Sequence, residues 1–125
     1  MEELKSFFFD TYAFYEIIEG NNNYKKYIKD VAIVTTKLNL MELHYGIMLS
    51  YGEDVANKYY DKYLQYTVKI TDDIIKMANK LKMTFKKRKL SYVDCVGYVL
   101  ANSMGIKFLT GDNGFFDIEN VAFVK

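Results

Sequence analysis

Short, wholly apolar runs alternate along the chain with longer segments whose apolar residues recur at helical spacing. Ser6 to Phe9 reads as a strand that Asp10 ends, and Thr11 to Glu19 as an apolar-rich helix stopped by Gly20. Asn21 to Asn23 reads as a turn, Tyr24 to Asp30 as a short helix and Val31 to Thr35 as a second buried strand. Leu40, Leu43, Ile47 and Met48 mark a helix over Asn39 to Ser50, which Gly52 breaks, and Glu53 to Tyr66 reads as a further helix. Val68 to Ile70 is a weak third strand. Thr71 caps the next helix, with Asp72 and Asp73 in its first turn and Lys80 and Lys82 later, as the helix dipole prefers. Phe85 to Lys89 is a basic connection into a helix from Ser91 to Gly105. A fourth strand, Ile106 to Thr110, a DNG turn and a last strand, Val121 to Val124, follow.

Strands alternating with helices predict an α/β domain with a mainly parallel sheet, over residues 1–125 as one domain. Such sheets place ligands beyond the carboxyl ends of their strands. Asp10 and Asp112 both directly follow strands, so both belong on that edge.

Composition narrows the classes. Half the residues are apolar and the net charge is +1, so no global field draws the chain to nucleic acid or membrane, and any such affinity is local. A single cysteine, Cys95, excludes an internal disulfide and fits a reducing cytoplasm. A single histidine, His44, argues against a zinc site or a histidine-based triad within one chain. MEELKS is not a basic signal region, and no apolar run reaches membrane-spanning length.

Four acids stand in charge-poor, apolar settings near element ends: Asp10, Glu42, Asp94 and Asp112. Each has a structural account. Asp10 reads as an N-cap for the first helix, Glu42 as an exposed helix glutamate, Asp94 as half of a Ser91-x-x-Asp94 capping box, and Asp112 as a turn residue. Yet no Lys or Arg lies within a helical turn of Asp94, and Gly97 and Ala101 on its face let a ligand or another backbone come close. If the four converge, each close pair of like charges costs about 4 kcal/mol at ~4 Å and an effective dielectric of ~20. Such a cluster persists by protonation or by binding cations, and an all-oxygen set suits Mg²⁺ or Mn²⁺ rather than zinc.

The runs FFFDTYAF, MELHYG, LSYVDCVGYVLA and FLTGDNGFF, in this order, resemble the pattern of PIN-domain nucleases. That pattern has an Asp after strand one, a Glu on a mid-chain helix, an S-x-x-D helix and a T-x-D-x-x-F turn. The resemblance runs from the first strand to the last. It implies a PIN-like three-layer sandwich with a five-stranded sheet in order 3-2-1-4-5. It makes Asp10, Glu42, Asp94 and Asp112 the catalytic, metal-holding acids, Thr110 and Thr11 their supporting hydroxyls, and Phe115 a packing aromatic. Tyr12 and Gly114 depart from it: a small polar residue is common at the first position, and many members carry a further acid at the second.

The implied activity is an endoribonuclease using Mg²⁺ or Mn²⁺ and a metal-activated water, which needs no protein nucleophile. Small stand-alone members resemble VapC-like toxins, which implies an RNA substrate and an antitoxin protein. Lys80, Lys82 and the run Lys86, Lys87, Arg88, Lys89 read either as a solvated charged loop or as a phosphate-binding lip. Tyr59, Tyr63 and Tyr66 share a helix face, which reads either as core or as the face of a homodimer or a helical partner. Cys95 reads as a buried filler, and His44 points away from Glu42. A non-catalytic RNA-binding or scaffold domain is the alternative. A haloacid-dehalogenase-type phosphatase needs a second Asp where Tyr12 stands, and a receiver domain needs paired acids in the first loop.

Overall fold

The structure is a computed structural model that describes residues 4–125. Its sheet has four strands: β1 (Lys5–Phe9), β2 (Val31–Val34), β3 (Lys107–Thr110) and β4 (Val121–Phe123). The helices are α1 (Thr11–Ile18), α2 (Lys37–Tyr51), α3 (Glu53–Tyr63), α4 (Asp72–Thr84) and α5 (Tyr92–Met104). The order is β2-β1-β3-β4, and every pairing is parallel.

The central strand shows why so short a run suffices. Side chains alternate across a strand. Phe7 and Phe9 enter one cluster with Phe14, Leu40, Leu43, Ile47 and Tyr63, while Phe8 enters the other with Val96, Val99, Phe108 and Phe115. Phe8 stacks on Phe108 at 5.6 Å between centroids, so β1 and β3 are joined by side chains as well as backbone. Helix α5 lies tight against this pair. A Cβ on Gly97 would meet Phe8 Cε1 at 2.7 Å and Phe108 Cε1 at 3.1 Å, so the small residue admits two aromatic side chains of the sheet rather than a ligand or a backbone.

The expected third strand, Val68 to Ile70, is not formed, and the sheet has four strands rather than five. One isolated parallel bridge, Thr35 to Thr67, stands in its place. Thr35 N donates to Tyr66 O at 3.0 Å and Val68 N to Thr35 O at 2.9 Å, and the chain then turns into Thr71, the N-cap of α4. The remaining order matches the expected one with that edge strand removed. The short helix expected over Tyr24 to Asp30 is a 3-10 turn, Asn22–Tyr27, and the last turn of the Glu53-to-Tyr66 helix is 3-10 over Leu64–Tyr66. The tyrosine face is core: Tyr63 is buried, and Tyr59 and Tyr66 pack against the same cluster.

Candidate metal centre

The register builds the site. Phe9 pairs with Leu109, and Asp10 N donates to Leu109 O at 3.1 Å, which carries the β1–β3 pairing one residue past the strand. Asp10 therefore emerges beside Thr110. The Thr110 hydroxyl donates to Asp10 Oδ2 at 2.8 Å and accepts from Asp112 N at 3.1 Å. One side chain thus couples the acids that follow two neighbouring strands. Asp10 is also the α1 N-cap, its Oδ1 accepting from Thr11 N at 2.9 Å.

Glu42 arrives from α2. Its Oε1 accepts from the Thr11 hydroxyl at 2.7 Å, and Asn39 Nδ2 donates to the same hydroxyl at 3.1 Å. Asn39 is fully buried and is itself held by the Thr36 hydroxyl, the N-cap of α2. The sequence reading did not single out Asn39. Its spacing from Thr36 is a capping signal, but nothing in that spacing shows the reach to Thr11.

Asp94 makes the capping box that its spacing predicts, accepting from Ser91 N at 2.9 Å. Asp112 Oδ1 accepts from Gly114 N at 2.9 Å, closing the turn before the 3-10 segment Asn113–Phe115. The structural accounts of Asp10, Asp94 and Asp112 thus hold at one oxygen of each. The second oxygens of Glu42, Asp94 and Asp112 accept no hydrogen bond among the described residues.

The four acids are electrostatic neighbours. Asp10 is 3% exposed, and burial first and Asp94 second push its carboxyl up to about 8, with Glu42 adding to the rise. Burial raises Glu42, with Asp94 adding to it. Burial also raises Asp94, and Asp112 adds to that rise while Lys82 opposes it. Lys82 comes from α4, where sequence spacing from Asp94 gave no sign of it. Its ammonium donates to Leu90 O and lies 4.8 Å from the Tyr92 ring centroid. As the side chains are oriented, no three His, Cys, Asp or Glu among the described residues stand at metal-sharing separation. The donor chemistry nonetheless fits a hard cation: carboxylate oxygens without protein donors, raised carboxyls, and one lysine against four acids.

The loop that carries Asp112 is braced from outside. Arg88 donates to Gly114 O at 3.2 Å, to Phe116 O at 2.7 Å and to Asp117 Oδ1 at 2.7 Å. In the basic run read either as a solvated loop or as a phosphate-binding lip, the Arg88 guanidinium is turned onto this loop, while Lys86, Lys87 and Lys89 are exposed. Gly111 fits where a Cβ would meet Val124 O at 2.2 Å and the Tyr12 ring at 2.4 Å. Tyr12, the departure noted above, is therefore a wall of the Asp112 loop. At Gly114, the other departure, a Cβ would meet Leu90 Cδ2 at 3.0 Å, so a larger residue there needs Leu90 to shift. His44 faces away from the acids, with its Nε2 2.7 Å from Asn57 Oδ1.

A parallel α/β sheet with four acids gathered at its carboxyl edge defines a class of fold and site rather than one protein. The PIN-domain family model matches residues 7–121, and the chain belongs to the PIN-domain family. No curated protein matches it. Among solved structures, the sarcin–ricin-loop-cleaving toxin VapC20 of Mycobacterium tuberculosis superposes with a TM-score of 0.79 at 18% identity, over 95% of this chain and 99% of that one. A toxin–antitoxin complex from Klebsiella pneumoniae gives 0.72 at 18% identity, over 91% and 93%. DNA-bound VapBC from Salmonella typhimurium gives 0.73 at 14% identity, over 94% and 95%. At these identities the likeness is one of fold.

Proposed function

We propose that the chain is a metal-dependent endoribonuclease, and the toxin of a toxin–antitoxin pair. The observation that carries the reading is the gathering of Asp10, Glu42, Asp94 and Asp112 from four separate elements with one nearby cation, Lys82. Asp10, Glu42, Asp94 and Asp112 would hold Mg²⁺ or Mn²⁺ through their carboxylate oxygens. Such an ion supplies a water of lowered pKa and offsets the charge of the phosphate. The protein's own part is positioning: Thr110 fixes Asp10 against Asp112, Thr11 fixes Glu42, and Ser91 fixes Asp94. Lys86, Lys87 and Lys89 are exposed on the turn that leads into the Asp94 helix and suit the RNA backbone.

The antitoxin fits the outer face of α2 and α3. A cleft of about 550 Å³ there is lined by Leu38, Met41, His44, Asn57 and Tyr60, and Met41, Tyr45 and Leu49 expose apolar surface on α2. An amphipathic helix suits such a surface, and a second copy of the chain forming a homodimer is the other occupant. No helix among the described residues is long and apolar enough to cross a membrane. The buried, unpaired Cys95 suits the cytoplasm.

The test is cleavage of a structured RNA by purified protein freed of any partner, with and without Mg²⁺ or Mn²⁺, followed by end-group analysis. We expect metal-dependent products with 5′-phosphate and 3′-hydroxyl ends. Cleavage in excess EDTA, or 2′,3′-cyclic phosphate ends, would overturn the mechanism. No cleavage of any RNA would leave a non-catalytic RNA-binding or scaffold domain.

A further inference from the structure

The opposite edge of the sheet carries its own charge. β1 begins at Lys5 and β2 at Val31, and between them opens a cleft of about 520 Å³. Four lysines line it, Lys5, Lys25, Lys26 and Lys29, against one carboxylate, Asp30. The one ion pair within 4.0 Å among the described residues is Arg88 with Asp117, so none of the four is neutralised by a described side chain. Two of them are laid along aromatic rings. The Lys5 ammonium lies 5.5 Å from the Phe7 centroid and that of Lys26 5.4 Å from the Tyr27 centroid. Those rings hold each other edge-to-face at 5.2 Å. The cations therefore stand at a defined rim.

We infer that this cleft is a second docking site for RNA, taking the phosphodiester backbone of a strand whose scissile bond lies at the carboxylate edge. The inference rests on the reading of the chain as an RNA-acting protein. The ligand is backbone rather than base because Phe7 and Tyr27 are buried, 6% and 7% exposed, and offer no open face for stacking. Closely spaced phosphates hold condensed counterions, and their release when clustered lysines neutralise the phosphates drives association. The five residues of β1 separate cleft from acids, about 17 Å at ~3.3 Å per residue. That span lies within the ~4–16 nucleotides that single-stranded nucleic-acid sites cover.

The test uses the full chain in EDTA with labelled single-stranded RNAs of about 6 and about 20 nucleotides, the longer matched to the upper range of such sites. Lys25→Gln, Lys26→Gln and Lys29→Gln are combined in one variant. Lys58→Gln, Lys69→Gln and Lys76→Gln, all exposed elsewhere, form a control with the same charge change. For the cleft variant we expect weaker binding of the long RNA and a salt dependence shallower by about 2 in log K against log salt, at ~0.7 per phosphate. Cleavage of the short RNA, with metal restored, should be unchanged. Equal losses in both variants would assign the effect to the general field and overturn the site. So would an unchanged slope, or loss of inorganic triphosphate binding with long-RNA binding intact. Lysine-dependent binding without any cleavage would keep the docking site and remove the nuclease reading. Cleavage with no lysine dependence would do the reverse.

Discussion

The Thr110 hydroxyl donates to the Asp10 carboxylate at 2.8 Å across a sequence separation of 100 residues, and the same oxygen accepts from Asp112 N. The alignment of the two strand-terminal acids is thus set by one short side chain, and the charges around them give the site a distinct pH behaviour.

Asp10 is the first test of it. Burial and then Asp94 hold its carboxyl at about 8, above the 3.8 of an unperturbed aspartate. The folded chain therefore binds this proton more tightly than the unfolded one. Its contribution to stability is complete below pH ~4 and is lost as pH rises towards about 8. In EDTA, melting temperature should fall between about pH 5 and about pH 8, and Asp10→Asn should flatten that fall. Saturating Mg²⁺ should oppose it in the wild type, because an ion that binds only the folded form stabilises it. Equal pH slopes for wild type and Asp10→Asn would show that Asp10 is not the group responsible.

Asp94→Asn separates capping from chemistry. The amide oxygen still accepts from Ser91 N, so melting temperature should hold or rise slightly. Cleavage should fall about a thousandfold, the equivalent of ~4 kcal/mol in the transition state. Full activity in this variant would reduce Asp94 to a helix cap.

Arg88→Ala tests the outer brace. It leaves Gly114 O, Phe116 O and Asp117 without their donor, at a cost of about 1 kcal/mol for partly exposed groups. Activity should fall more than stability does, with a higher Mg²⁺ requirement, as the Asp112 loop loosens. Arg88→Lys should recover part of the stability and less of the metal affinity, since lysine lacks the planar fork. If the guanidinium instead served only RNA, the metal requirement would stay where it is in wild type.

Thr11→Val removes the hydroxyl between Glu42 and Asn39 at nearly constant volume. Asn39 Nδ2, fully buried, then loses its acceptor, which costs about 1–3 kcal/mol. Thr11→Ser should restore both stability and cleavage. A Val variant as stable and active as wild type would mean that another group orients Glu42.

The sheet was readable where both faces of a strand are buried, because Phe7, Phe8 and Phe9 admit few other arrangements. Val68 to Ile70, with Lys69 between two apolar residues, was the weakest of the strand signals. Just before it, the chain makes one isolated bridge, Thr67 to Thr35 beyond the end of β2, and the Thr71 cap then claims the chain for α4. That the four acids lie near one another was readable from their order and their apolar settings. Lys82 was not, because its place beside Asp94 follows from the packing of α4 on α5. The contacts of Arg88 with the Asp112 loop were not readable for a related reason. A run of basic residues shows charge but not direction, and only the Asp112 loop determines where the guanidinium turns.

The placement of β1 at the centre of the sheet also sets when the site can exist. A ribosome releases Asp10, Glu42 and Asp94 before β3, Thr110 and Asp112, and the pairing of β1 with β3 waits for the latter. A nascent chain halted before Lys107 carries three of the four acids, Asp10, Glu42 and Asp94, but lacks the β3 frame and Asp112. The site is therefore assembled only after β3 has been made and has paired with β1.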